Sequence, residues 1–481
     1  MFNFVEKKTA SETMTLISRS IRTYPYPEKL YNKSRSDIYP TFSEIHQMIL
    51  HSTGGNSQKV SLPQGIAHGI APDGGLYMPD SFPKLPNAFF NNLPDMQLQE
   101  IAFVIANTLF GEMVPAPELK QIVFDALNFQ IPVRRVKDRI YSCELFYGST
   151  LTFKDVGARF MARLLPKLDP AYGSPRDIIV ATSGDSGAAV ADGFSRTANT
   201  RVFVLYPKGE LTRLQIAGFA SVRNVVAIEV DGSFDQCQAM AKEVVRANAA
   251  SHHASRRLTS ANSINLLRQL PGIIYYFHAY ARVAETHPGK EIVFSVPCGN
   301  LGNLSAGLMA KAMGLPAKRF IAANNANDVF VEYLRSGDFA PREALLTVAR
   351  AMDVGNPSNL ARIIDLYGGD LERLRSEVEG VSLSDDAITG AMRRLWLENQ
   401  ILAEPQTAAA IAALEHKLQG DECGIAIASA HPAIFTTTVK AVTGATPRFP
   451  TGHSIPATSA SRVIKIPPTL SALNRILNTH C

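Results

Sequence analysis

Lys154 is the single lysine in ELFYGSTLTFKDVGARF (residues 144–160), set between Phe153 and Asp155 among apolar, small and hydroxylated neighbours. An amine in such surroundings is more easily held neutral, and a neutral amine is the nucleophile that condenses with a carbonyl to give a Schiff base. A lysine that snorkels its ammonium to the surface from an amphipathic helix explains the same residue without any chemistry. The rest of the chain has to decide between the two.

Two glycine-rich segments favour chemistry. Ser183, Gly184, Asp185, Ser186 and Gly187 follow the apolar run DIIVAT (177–182), and CGNLGN (298–303) follows EIVFSV (291–296); each is succeeded by a helical pattern. A strand-to-helix turn of this kind aims backbone N–H groups and a helix N-terminus at one spot, which suits a carboxylate or a phosphate. Taken singly, Gly and Ser at such a turn are turn residues. Two anion cradles together with an imine-forming lysine suggest a phosphorylated aldehyde cofactor and a carboxylated substrate, and pyridoxal phosphate has that chemistry.

The elements that must position these residues form a regular series. After the first loop, AAVADGF (188–194) reads as a helix, RVFVLY (201–206) and VVAIEV (225–230) as strands, and FDQCQAMAKEVVRANA (234–249) as a helix. The second series continues through LSAGLMAKAMG (304–314), a helix, and RFIAANN (319–325), a strand. This is β-α-β alternation, which predicts parallel sheets. SANSINLLRQLPGIIYYFHAYARV (260–283) reads as one or two buried helices broken at Pro271. Towards the end come a charged helix at about 384–400, a helix in EPQTAAAIAALEHKL (404–418) and a strand in GIAIASA (424–430). Two α/β lobes with a cleft between them follow, with boundaries expected at 1–95 for an N-terminal element, 96–153 with 266–481 for the larger lobe, and 154–265 for the smaller.

Composition excludes other classes. The 481 residues carry 48 basic and 43 acidic side chains without a basic block, so no nucleic-acid role is expected. No run approaches the roughly 18 apolar residues of a membrane helix, and no membrane span is expected. Cys143, Cys237, Cys298, Cys423 and Cys481 are odd in number and widely spaced, which favours free thiols in a reducing compartment, the cytoplasm, over disulfides or a metal site. The first twenty residues lack the apolar stretch and cleavage site of a secretory signal, so they are expected to form a short helix or a loose tail.

The segments ELFYGSTLTFKDVGARF, ATSGDSGAAVA, FDQCQAMAK, LTSANSIN, VPCGNLGNLSAGLMAKAMGLP, NNANDVF, AMDVGNPSN and ASAHPAIF occur in the order of the threonine synthase motifs, and GIAPDGGLYMPDSFPKL (69–85) resembles that family's N-terminal element. The resemblance spans roughly residues 50 to 475. It implies a fold type II pyridoxal-phosphate enzyme, monomeric or homodimeric, that turns O-phosphohomoserine and water into threonine and phosphate by γ-elimination and β-hydration. It further implies that Lys154 carries the cofactor and shuttles protons, and that Gly299, Asn300, Leu301, Gly302 and Asn303 hold its phosphate. By the same resemblance Ser429 faces the pyridine nitrogen, while Ser183, Gly184, Asp185, Ser186, Gly187 and Arg159 grip the substrate. Asn262 and Asn265 are either polar contacts near the cofactor or structural caps.

The sequence departs from the family pattern at Gly54, Glu210 and Ile434, each of which replaces a cationic residue, at Gln406, where histidine is usual, and in YGST (147–150), which replaces HGPT. A doubly charged leaving phosphate is stabilised mainly by cationic donors; Arg159, Lys208 and Arg213 are candidates to compensate. Three readings follow: a divergent threonine synthase, a paralogue acting on another β- or γ-substituted amino acid, and a non-catalytic cofactor-binding protein. His431, Cys298 and the aromatic cluster Tyr275, Tyr276, Phe277 and Tyr280 read as packing residues.

Overall fold

Runs of branched and aromatic residues become strands here, and several are buried along their whole length, as parallel strands covered on both faces must be. The computed structural model describes residues 48–169, 175–249, 256–451, 453 and 463–479. The expected N-terminal helix or tail, and Cys481, lie outside them. In chain order the strands are β1 (Ile49–Ser52), β2 (Val60–Ser61), β3 (Tyr77–Pro79), β4 (Val133–Lys137), β5 (Ile140–Glu144), β6 (Arg176–Ala181), β7 (Thr200–Pro207), β8 (Val225–Val230), β9 (Arg257–Ser260), β10 (Ile292–Pro297), β11 (Ala317–Asn324), β12 (Val378–Ser382), β13 (Cys423–Ala428) and β14 (Val463–Ile466).

Three sheets result. A small antiparallel one has the order β2-β1-β3, a six-stranded one the order β12-β11-β10-β13-β5-β4, and a five-stranded one the order β14-β8-β7-β6-β9. The five-stranded sheet is parallel throughout, and the six-stranded sheet is parallel except for the β4–β5 hairpin. In open sheets of this type ligands bind beyond the carboxyl ends of the strands. Both glycine-rich loops lie there, after β6 and β10.

The expectation that residues 266–481 belong wholly to the larger lobe needs one correction, at the C-terminal end. β14 pairs with β8, Val463 opposite Ala227, and Ile466 and Leu473 pack with Ile228, Val244 and Val245. The last described segment therefore completes the sheet built from residues 176–260, because β8 would otherwise expose an apolar edge.

Four helices carry the site: Lys154–Leu168, Asp185–Phe194, Gly302–Ala312 and Pro405–Lys417. The last is buried on every side from Pro405 to Leu414, the signature of a helix enclosed by protein. Ile411 and Leu414 each contribute about 1.5–3 kcal/mol by burial, so its N-terminal turn has a firm base. Pro405 at its first position has the backbone angle that a helix start requires.

Candidate active site

The loop before Lys154 is zipped onto the segment after β13. Phe153 N–H donates to Ser429 O (2.8 Å), His431 N–H donates to Leu151 O (2.9 Å), and Thr152 and Ala430 form an isolated bridge. Leu151 adopts φ 59°, a conformation disfavoured for a branched side chain, so this loop is held by its surroundings and not by local preference. Asp155, buried beneath it, accepts from Thr150 N–H (2.9 Å) and Thr150 Oγ1 (2.6 Å). Burial pushes the Asp155 carboxyl up to about 6, against those two hydrogen bonds. Lys154 and Ser429, 275 positions apart, are thereby fixed side by side.

Lys154 Nζ lies 3.2 Å from Asp185 Oδ2 and 5.6 Å from the centre of the Phe153 ring. The partner that the apolar setting of the sequence did not announce is thus a carboxylate. Asp185 opens the helix Asp185–Phe194, and Gly184 before it takes φ 132°, a backbone angle that a side chain rarely allows. Within this loop Thr182 Oγ1 accepts from both Gly184 N–H and Gly187 N–H, each at 2.9 Å. Asp185 and Ser186, in the first turn of the helix, have no intrahelical acceptor for their N–H groups; both residues line the cavity, as does Ser183.

The second loop faces the first across this cavity, which Gly299, Asn300, Leu301, Gly302 and Asn303 all line. Leu301, at φ 57°, turns the chain into the helix Gly302–Ala312. Asn359 Nδ2 donates to Asn300 O (2.8 Å), Ser358 N–H to Asn300 Oδ1 (2.6 Å), and the hydroxyls of Tyr275 and Tyr276 to Asn303 Oδ1 (2.8 and 2.7 Å). Gln269 Nε2 donates to Gly302 O. The tyrosines read as core residues are therefore also braces for this loop. Behind Asn359, buried Arg362 donates to Asn359 Oδ1 (2.7 Å) and Ile264 O (2.6 Å), and burial draws its guanidinium down to about 9.

At the end of β13, Ser429 Oγ donates to Glu404 Oε1 (3.3 Å), which also accepts from Thr407 Oγ1 (2.7 Å). Complete burial pushes Glu404 up to about 7. Gln406 lines the cavity beside Ser429, and Arg268 and Arg350 bring positive charge to its wall. Arg268 is half-buried and its guanidinium is lowered to about 10 by desolvation; Arg350 is exposed.

Of the residues singled out in the sequence, Arg159 is not brought to the cavity. It lies five positions after Lys154 on the same helix, on another face, and its guanidinium donates to Asp125 O (3.0 Å) and Asn128 Oδ1 (2.7 Å). Gly184 and Gly187 shape the first loop without lining the cavity. Asn262 bridges the N–H and C=O of Ala181 (2.9 and 2.8 Å) and also lines the cavity, while Asn265, away from it, caps a helix by accepting from Leu267 N–H (3.0 Å). His431 accepts from Ala433 N–H (3.1 Å), packs edge-on against Phe146, and is drawn down to about 4 by burial. Cys298 is buried, with its thiol pushed up. Gly54, Glu210 and Ile434 do not line the cavity, and neither do Lys208 and Arg213. Sequence reasoning missed Arg268, Arg350, Glu404 and Asn359. A cation within SINLLRQ and the acid before PQTA were the available signals.

Pyridoxal phosphate asks for an amine, an anion cradle and a partner at its ring nitrogen. Lys154, the Gly299–Asn303 loop and Ser429 meet these demands within one cavity. Buried polar atoms on the same wall, namely Asn303 Nδ2, Arg268 Nε and both amide atoms of Gln406, have no hydrogen-bond partner in the protein. Such atoms are rare in folded chains and call for a bound group, so the residues present fit the cofactor. Among the described residues no helix is long and apolar enough to cross a membrane, and no cluster of acidic, histidine or cysteine side chains could hold a metal ion.

Comparison with known proteins agrees with this geometry. The pyridoxal-phosphate dependent enzyme family matches residues 131–425, and the threonine synthase N terminus family matches residues 50–127. Threonine synthase of Serratia marcescens is 39% identical over 398 residues, covering 82% of this chain and 91% of the relative. Threonine synthase of Escherichia coli (strain K12) is 35% identical over 434 residues, 90% of this chain and 100% of the relative. The crystal structure of threonine synthase from Escherichia coli superposes with a TM-score of 0.83 at 34% identity, covering 90% of this chain and 100% of that one. The structure of pyridoxal-phosphate-bound threonine synthase from Brucella melitensis does so with a TM-score of 0.80 at 28% identity, covering 90% and 99%.

Proposed function

This chain belongs to the threonine synthase family of pyridoxal-phosphate-dependent lyases, and from that premise we propose that it converts O-phosphohomoserine and water into threonine and inorganic phosphate. Phosphate leaves from Cγ, and the oxygen of water is added at Cβ. The observation that carries this reading is the position of Lys154 Nζ in a cavity walled by both strand-to-helix loops.

Bound pyridoxal phosphate supplies the electron sink for negative charge at Cα and then at Cβ. Lys154 would hold the cofactor through its amine and, once released, would carry protons at those carbons. Asp185 holds the Lys154 ammonium at 3.2 Å while that amine is free, and it positions Nζ over the cavity. The Gly299–Asn303 loop receives the cofactor phosphate, supported by its helix N-terminus. Ser429 would meet the ring nitrogen, its Oγ also lying within hydrogen-bond reach of Glu404 Oε1. Ser183 and the N–H groups of Asp185 and Ser186 take the substrate carboxylate.

Gly54, Glu210 and Ile434 do not line the cavity, whereas Arg268 and Arg350 do, and these two supply positive charge to its wall. We assign Arg350, exposed at the mouth, to the substrate phosphate. Burial raises the Glu210 carboxyl above its ordinary value, with the Arg350 charge offsetting part of that rise. A cytoplasmic location and a monomeric or homodimeric state belong to the same proposal, the location supported by the unpaired buried thiols of Cys143, Cys237, Cys298 and Cys423.

Borohydride reduction of the cofactor-loaded protein followed by peptide mapping tests the attachment. The expected result is a pyridoxyl label on Lys154 that is absent from Lys154→Ala. A label on another lysine overturns the assignment of Lys154, and no label at all revives the non-catalytic reading.

A further inference from the structure

Gln406 is 2% exposed, yet neither its amide nitrogen nor its amide oxygen has a hydrogen-bond partner in the protein. Interiors seldom leave one such atom unmatched, and this side chain leaves two. Its position sharpens the anomaly. It occupies the second residue of the helix Pro405–Lys417, whose inner turns are Ala, Ile and Leu, and an apolar side chain of the same volume would suit the protein alone better. Beside it, Glu404 Oε1 accepts from Thr407 and Ser429, while Glu404 Oε2, likewise buried, makes no hydrogen bond to Gln406 or to any other group of the protein. The Gln406 side chain lines the cavity that it shares with Lys154, Ser429 and the Gly299–Asn303 loop.

We propose that Gln406 is a cofactor-binding residue, whose amide is satisfied by polar atoms at the edge of the pyridoxal phosphate ring. It pairs with the cofactor in the corner where Ser429 meets the ring. As a neutral amide it offers both donor and acceptor groups at every working pH, which a histidine or a carboxylate at that position does not. The inference rests on the cofactor part of the proposed function and is independent of the substrate.

The test uses full-length protein, stripped of cofactor and reloaded, with Gln406→Leu and Gln406→Met; the methionine variant keeps the volume if leucine disturbs folding. Three readouts are taken: thermal stability of the apoprotein, pyridoxal phosphate affinity, and the absorbance spectrum of the bound cofactor. The expected result is an apoprotein at least as stable as wild type, a dissociation constant for pyridoxal phosphate raised about tenfold, and a displaced absorbance maximum. A residue with a purely structural role gives the reverse. Destabilised apoproteins, or wild-type affinity together with an unchanged spectrum, overturn the proposal. So does a defect confined to the KM for O-phosphohomoserine, which assigns the amide to the substrate. Should the wild type bind cofactor yet form no threonine, the substrate assignment falls, and the cofactor affinities still decide the role of Gln406.

Discussion

The loops at 182–187 and 298–303 share a sequence grammar, strand, glycine-rich turn, helix, but they spend their hydrogen bonds differently. In the first, the Thr182 hydroxyl accepts from Gly184 N–H and Gly187 N–H, so two donors are consumed inside the loop. In the second, Asn359, Gln269, Ser358, Tyr275 and Tyr276 bind the carbonyls of Asn300 and Gly302 and the side chains of Asn300 and Asn303. Those braces occupy acceptors, and of the loop's donors the Asn300 side-chain amide is used within the protein, on Ser263 Oγ (3.4 Å). A dianionic phosphate needs many donors, whereas a carboxylate is content with a few. The difference supports placing the cofactor phosphate at the second loop and the substrate carboxylate at the first.

Breaking the second loop should have the largest effect. A Cβ added at Gly299 would lie 2.9 Å from Met352 Cα and 3.1 Å from Ala351 O, backbone atoms that cannot swing aside. Gly299→Ala is expected to weaken pyridoxal phosphate binding by thirty- to a hundredfold, roughly 2–3 kcal/mol, as read by cofactor titration. Unchanged affinity would remove the phosphate from that loop.

A pH experiment sharpens the contrast at the corner that neither loop covers. Folded Glu404 keeps its proton up to about pH 7, against an ordinary value of 4.5, so between those limits the native state binds more protons than the unfolded chain. Stability conferred by this residue is therefore full below about pH 4.5 and declines as pH rises through 7. In Glu404→Gln that decline is removed, and the stability difference between variant and wild type should change by about 2–3 kcal/mol between pH 5 and pH 8. Denaturant unfolding of the apoproteins measures it. Parallel profiles would mean that Glu404 is ionised throughout.

Thr182→Val strikes at the first loop and should leave cofactor affinity alone. Two amides lose their acceptor, and unfolding stability should fall by about 2 kcal/mol; a matching loss of cofactor affinity would show that the two loops are not separate in role. The smallest effect is expected at the mouth. Arg350→Gln should raise the KM for O-phosphohomoserine about five- to tenfold, equivalent to roughly 1 kcal/mol for an exposed, screened charge, and Arg350→Lys should recover part of the loss.

The difference between the loops also marks where the sequence was legible. Strand and helix assignments from 177 to 249 and from 291 to 325 were readable because apolar periodicity reports burial directly: VVAIEV and FDQCQAMAKEVVRANA agree with the observed strand Val225–Val230 and helix Phe234–Ala249. The break at Pro271 also stands, inside the 3-10 turn Leu270–Gly272. What sequence pattern did not carry was long-range pairing. The β14–β8 contact joins residues more than 230 positions apart, and the two-residue β2 is too short to have a period. In the site, motif order located Lys154, both loops and Ser429. It misplaced Arg159 because a helix turns five residues onto a different face. It missed Glu404 and Arg350 because their relevance arises only where separate elements meet.

The most direct test of the central claim is the product analysis of purified, cofactor-loaded protein given O-phosphohomoserine, with Lys154→Ala as the blank. The account predicts threonine and inorganic phosphate in equal amounts from the wild type and neither from the variant. Cofactor bound at Lys154 with no threonine formed would contradict it, and would direct attention to an amino acid with another leaving group.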